Sequence, residues 1–172
     1  MRLRVVLDSD GLIKLAKADA LETLVKAWNC IVPQAVYSET VERGVTAAHP
    51  DAAVIRDVLS IPMVQPHVHH PRAARLLGQK RGLGRGEQEA LHLYFAMRAD
   101  GIITDDAAFV GLLERADLPY LPPPLVLVQL ASQAQLELHA AVQALERMRP
   151  LIRREVYHAA RADLEALRAR RK

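Results

Sequence analysis

Leu3-Arg4-Val5-Val6-Leu7 is a short apolar run that stops at Asp8, and its length predicts a buried strand rather than a helix. Asp8, Ser9 and Asp10 can cap the next segment, in which Leu12, Ile13, Leu15 and Ala16 recur at helical spacing. Leu21, Leu24, Val25 and Trp28 continue a helical stripe, and Cys30-Ile31-Val32 reads as a second strand. Pro33 suits the first turn of the next helix, where its missing N–H costs nothing, and Gly44 is expected to close that helix. A further helix is predicted from Ala52 to Leu59 and a third short strand from Met63 to Gln65. Residues 66–86 hold two prolines and four glycines and predict the least ordered stretch. From Glu87 to Arg98 the helical signal returns through Ala90, Leu91, Leu93, Tyr94, Phe95 and Met97. Gly101-Ile102-Ile103-Thr104 predicts another buried strand, after which Asp105 and Asp106 open a helix carrying Phe109, Leu112 and Leu113. Leu118 to Leu121 predicts a last strand, Pro122-Pro123-Pro124 a stiff break, and two or three helices finish the chain.

Strands alternating with helical segments predict an α/β fold with a small, mostly parallel central sheet flanked by helices. The proline triplet is expected to divide an α/β body, residues 1–121, from a helical extension, residues 122–172, packed on the same domain. The length of 172 residues suits one domain of roughly 100–200 residues, and 25% charged with 51% hydrophobic residues is an ordinary globular mixture. The single cysteine, Cys30, excludes an internal disulfide framework and any zinc site with several thiolate ligands, and reads as a small buried apolar residue. No apolar run approaches the roughly 20 residues of a membrane span, and Asp8 and Asp10 interrupt the start of any secretory signal. The expectation is a soluble cytoplasmic protein.

The net charge of +3 conceals an asymmetry. Residues 147–172 hold nine basic and three acidic residues, and a second basic cluster is formed by Arg72, Arg75, Lys80, Arg81 and Arg85. Two basic zones around a neutral-to-acidic body suit a polyanion, because Lys and Arg gain affinity by releasing phosphate counterions.

Ligands of open α/β sheets bind beyond the carboxyl ends of the strands. Asp8 and Asp105 each come directly after a predicted strand. Glu87 opens a helix, and at about 100° per residue it falls with Ala90, Leu91 and Tyr94, whereas Glu89 falls beside Gln88 and His92 on a polar side. Glu87, not Glu89, is therefore expected to point into the body. Glu39 and Glu42 share the helix begun by Pro33, and spacing does not choose between them. Two carboxylates about 5 Å apart repel by roughly 3 kcal/mol at an effective dielectric near 20. Several in one cleft need counter-charge, which hard divalent cations supply through oxygen ligands.

Four segments carry a resemblance. Val5 to Ile13, with Asp8-Ser9-Asp10-Gly11 at its turn, resembles the opening strand and turn of the PIN domain family. Pro33-Gln34-Ala35-Val36-Tyr37-Ser38-Glu39 resembles its proline–valine–glutamate pattern, Gly86-Glu87-Gln88-Glu89-Ala90-Leu91 its glycine–glutamate position, and Ile103-Thr104-Asp105-Asp106 its last acidic position. The helical tail resembles a subgroup with extra C-terminal helices, although the proline triplet stands where glycine is expected. The resemblance implies a PIN-like fold and an Mg²⁺- or Mn²⁺-dependent endoribonuclease that attacks an RNA phosphodiester with activated water. It further implies a toxin of the VapC type with a cognate antitoxin, and a homodimer. Asp8, Glu39, Glu87 and Asp105 would form the catalytic acidic set, with Asp8, Glu87, Asp105 and Asp106 toward the metal. Asp106 could instead only cap its helix, and Asp10 could join the site or brace the turn.

The same residues admit two other readings. Asp8-Ser9-Asp10-Gly11 also resembles the opening of haloacid-dehalogenase-type phosphatases, but Leu12 stands where that family has Thr or Val, and Glu39 and Glu87 would have no role. A PIN fold that binds RNA or a protein partner without cutting is the other. His67, His69 and His70 read as exposed loop residues rather than a transition-metal site.

Overall fold

A computed structural model describes residues 2–46, 49–79 and 82–170 of the chain. Val5, Val6 and Leu7 form strand β1 (Arg4–Leu7), and all three are buried. Continuous burial requires a sheet covered on both faces. Alternate residues accordingly enter different cores, Val5 and Leu7 one, Val6 the other. The remaining strands are β2 (Asn29–Pro33), β3 (Val64–Gln65), β4 (Gly101–Ile103) and β5 (Tyr120–Leu121). They form a five-stranded parallel sheet of order β3-β2-β1-β4-β5, with Val6 opposite Ile31 on one side and Ile102 on the other. The chain leaves β1 toward β2 on one flank and returns to β4 on the other. The carboxyl ends of β1 and β4 therefore flank a topological switch point, where such sheets open a crevice.

The first core lies under α1 (Ser9–Lys17), α2 (Leu21–Ala27) and α5 (Pro50–Val58), and extends into the C-terminal helices α9 (Pro123–Ser132), α10 (Leu138–Met148) and α11 (Arg154–Arg170). Leu12 and Leu15 of α1 pack in it with Val126, Leu130, Leu145 and Leu164. The second core lies under α6 (Pro71–Gly78), α7 (Arg85–Ala96) and α8 (Ala107–Arg115), where Leu91, Leu93, Phe109 and Leu113 are buried. The α/β character, the parallel sheet and the helical extension agree with the pattern read from the chain.

Three local expectations are corrected. Residues 66–86 contain the ordered helix α6: Pro71 pre-sets its first turn, His70 Nδ1 caps the Arg72 N–H, and Ala73 is buried. Gly44 does not end its helix; α3 (Gln34–Tyr37) continues through a π-helical turn, Ser38–Glu42, into α4 (Arg43–Thr46). A Cβ on Gly44 would stand 2.8 Å from that of Ala52, so glycine serves the close approach of α4 to α5. The proline triplet is a helix start rather than a break, with Pro122 at the N-cap and Pro123 and Pro124 in the first turn of α9.

Gly11 is the tightest of the joints near β4, since a Cβ there would meet the Ile103 carbonyl oxygen at 2.7 Å. Gly11→Ala is expected to cost about 1–3 kcal/mol in urea unfolding. Gly78→Ala, in the same assay, should change stability by less than about 1 kcal/mol, because nothing lies within 4 Å of its Cβ position.

Candidate active site

Asp8 leaves the sheet at the end of β1 with its N–H still donating to the Ile103 carbonyl of β4, at 3.3 Å. Its carboxylate is almost wholly buried, at 2% exposure. Oδ1 accepts the Gly11 N–H at 2.7 Å, which caps α1, and the Thr104 hydroxyl also donates to the carboxylate. Capping alone would leave Asp8 an ordinary acid. Burial instead pushes its pKa up to about 7, with Asp10 and Asp105 raising it further and the Thr104 and Gly11 bonds pulling it down.

Asp105 lies just beyond β4 and meets residues from α1. The Lys14 ammonium lies 2.7 Å from both Asp105 oxygens and 2.7 Å from Asp10 Oδ2. The Lys14 and Asp105 side chains are 12% and 9% exposed, whereas Asp10 opens to solvent at 44%. Burial raises the Asp105 pKa to about 6, helped by a hydrogen bond with Asp10 and opposed by Lys14. For Asp10 burial acts upward, but the bonds to Asp105 and Lys14 prevail and hold it below the usual range. Lys14 is held above its ordinary value, the two carboxylates overcoming the cost of burial.

Glu39 approaches from the second flank. Ser9 Oγ donates to its Oε2 at 2.8 Å, tying the residue next to Asp8 to the π-helical turn. Gly86 closes over this pair: a Cβ there would lie 3.4 Å from Glu39 Oε2 and 3.5 Å from Ser9 Oγ. Of the two acids that spacing left open, Glu39, which the resemblance named, is the one joined to the β1 turn, while Glu42 is exposed. Glu87, beside Gly86, folds back toward Gly84, its Oε2 only 2.6 Å from where a Cβ on that glycine would be.

The expectation for Glu89 is reversed. Its side chain is buried, at 3% exposure; Oε2 accepts the Ala35 N–H at 2.9 Å and Oε1 accepts Arg85 Nε at 3.0 Å. The wheel supposed one buried face, but α7 packs against the sheet and against α3 and buries two. Asp106 acts as the N-cap of α8, its Oδ1 accepting the Phe109 N–H at 2.7 Å.

Of the basic cluster, Arg72 and Arg75 are exposed on α6, with Arg72 5.0 Å over the Phe95 ring. Arg85 pairs with Glu89 yet remains 77% exposed. Lys80 and Arg81 lie outside the described residues. His67 and His69 pack on the His92 ring, with centroids 5.4 and 5.3 Å apart. The His92 Nδ1 accepts the His70 N–H, so a neutral His92 keeps its proton on Nε2 and has no free lone pair for a metal.

Among the described residues no three His, Cys, Asp or Glu side chains stand together in an arrangement ready for a metal ion. The donor chemistry of the crevice nevertheless suits a hard cation: Asp10 and Asp105 already share one ammonium at 2.7 Å, and the Asp8 carboxylate leaves β1 beside the end of β4, an all-oxygen set around positive charge. The sequence reading missed Lys14. Its signal was the Asp10–Lys14 spacing of four residues, which alone describes an ordinary surface pair.

The arrangement is that of a nuclease-type fold. The PIN domain family model matches residues 4–166, and the chain belongs to the PIN domain family. The match runs through the C-terminal helices and displaces the haloacid-dehalogenase reading. No curated protein and no solved structure matches the chain. Among the described residues no helix is long and apolar enough to cross a membrane.

The site makes two stability measurements informative. Asp8 and Asp105 bind protons more tightly folded than unfolded, so their contribution to stability is full below about pH 4 and is lost as pH rises toward 6–7. Thermal melts without added metal should show this decline, at up to about 1.4 kcal/mol per pH unit for each group, and Asp8→Asn should flatten it. Glu89→Ala should lower unfolding free energy by about 1–3 kcal/mol, because the Ala35 N–H loses a buried acceptor; Glu89→Gln, which keeps an acceptor oxygen, should cost less.

Proposed function

We propose that the protein is a metal-dependent endoribonuclease, the toxin of a toxin–antitoxin pair. The observation that carries the reading is the buried Asp8 carboxylate, set beside Asp10 and Asp105 at the switch point of a PIN fold. Asp8, Glu39, Glu87 and Asp105 form the acidic set. Asp8, Glu87 and Asp105 are the residues that would hold Mg²⁺ or Mn²⁺, while Asp106 already commits Oδ1 to its helix cap. A divalent cation there would supply charge neutralisation and water activation for phosphodiester hydrolysis.

The chain's own groups have separable tasks. Gly11 and Thr104 hold the Asp8 carboxylate in one orientation. Ser9 fixes Glu39. The exposed Arg72, Arg75 and Arg85 supply positive charge for the RNA backbone. A homodimer and a cognate antitoxin complete the proposal.

One observation favours a second reading, a PIN fold that binds RNA or a partner without cutting: Lys14 already occupies both Asp105 oxygens. Incubation of single-stranded RNA with the purified protein and Mg²⁺ or Mn²⁺ separates the two. Cleavage should require added metal, vanish with chelator and fall to the blank in Asp8→Asn, and only the wild type should arrest growth when expressed. RNA retention without cleavage under either metal would transfer support to the binding reading.

A further inference from the structure

An ammonium carries three N–H donors. The Lys14 Nζ lies 2.7 Å from three carboxylate oxygens, Asp10 Oδ2 and both oxygens of Asp105. This is not the loose pairing of a surface lysine. The nearby Lys17 meets one Asp51 oxygen at 3.3 Å and is 40% exposed, and Lys26 pairs with Glu22 at 72% exposure. Lys14 is 12% exposed and joins α1 to a residue 91 positions away in sequence. It sits where positive charge is most needed, among acids that Asp8 also feels.

We propose that Lys14 is the resident counter-cation of the acidic crevice, and that a divalent cation enters by displacing its ammonium from Asp105. This rests on the metal-dependent reading above. Both Asp105 oxygens face the ammonium while Lys14 is in place, so a divalent cation approaching that carboxylate competes with Lys14 for its lone pairs and is repelled by its charge. The exit is short: Lys14 has a flexible four-carbon stem, and its other partner, Asp10, already faces solvent. The exchange weakens metal affinity, because each metal bound must break the ammonium's bonds. It also keeps the metal-free crevice folded, because Asp10 and Asp105 are never left without a positive partner.

Two measurements on the full chain test this without an activity assay. Mn²⁺ titration by calorimetry compares the wild type with Lys14→Met, which keeps the stem and removes the charge. The variant should bind Mn²⁺ about tenfold or more tightly, the scale of one lost charge-assisted hydrogen bond; Lys14→Gln serves if Lys14→Met does not fold without metal. Acetylation of wild-type lysines by an amine reagent, read by mass spectrometry, gives the second. Lys14 should be protected without metal and become reactive with Mg²⁺, relative to Lys17 and Lys26. Equal or weaker Mn²⁺ binding by the variant overturns the proposal and leaves the nuclease reading standing, as does a Lys14 that stays protected while wild-type protein binds metal. Absence of Mn²⁺ binding by both wild type and variant overturns the two together.

Discussion

The charge at the ends of β1 and β4 governs this structure. Parallel pairing of the two strands delivers Asp8 and Asp105 to neighbouring positions at one rim of the sheet, and the helix beginning just after β1 adds Asp10. Repulsion among these acids opposes the hydrophobic gain that pairs the strands beneath them. Protons and one ammonium relieve it. Asp8 and Asp105 hold their protons more tightly than free carboxylic acids do, and Lys14 neutralises the Asp10–Asp105 pair. A site so arranged is prepared for a cation of higher charge, which can neutralise several acids at once.

Placement depends on α1, and α1 is secured at both ends. Its N-terminus is capped by Asp8 itself. At its C-terminus the Arg147 guanidinium, from α10, donates to the Ala18 carbonyl through Nε at 3.2 Å and one terminal nitrogen at 3.0 Å. Leu12 and Leu15 lock the buried face into a core shared with α9, α10 and α11. The C-terminal helices thus bear on the acids indirectly, by holding the helix that carries Asp10 and Lys14.

Where a function depended on local pattern, the sequence was informative. Asp8 and Asp105 each sit just beyond an apolar run, so their place at the sheet rim could be read from strand length and the rule for parallel sheets. The resemblance chose Glu39; spacing offered it only as one of two, because the preference over Glu42 depends on Ser9, thirty residues earlier in the chain. Lys14 was illegible for the same reason in stronger form: its second partner arrives from 91 residues away, and nothing in a helical wheel announces that. Glu89 was misplaced because a wheel assumes one buried face, and α7 has neighbours on two sides. Helix α6 was obscured by counting glycine and proline as disorder without asking where in a helix each falls; Pro71 at a start and Gly78 at an end are both permissive.

The bond from Arg147 to Ala18 bears on how the chain can be divided. The proline triplet resembles a seam, yet the last third of the protein grips the segment bearing two of the charged groups and shares its core. A fragment trimmed at Pro122 would expose Leu12 and Leu15 to water and release the end of their helix. The tail therefore belongs to the scaffold packed on the helix that carries Asp10 and Lys14.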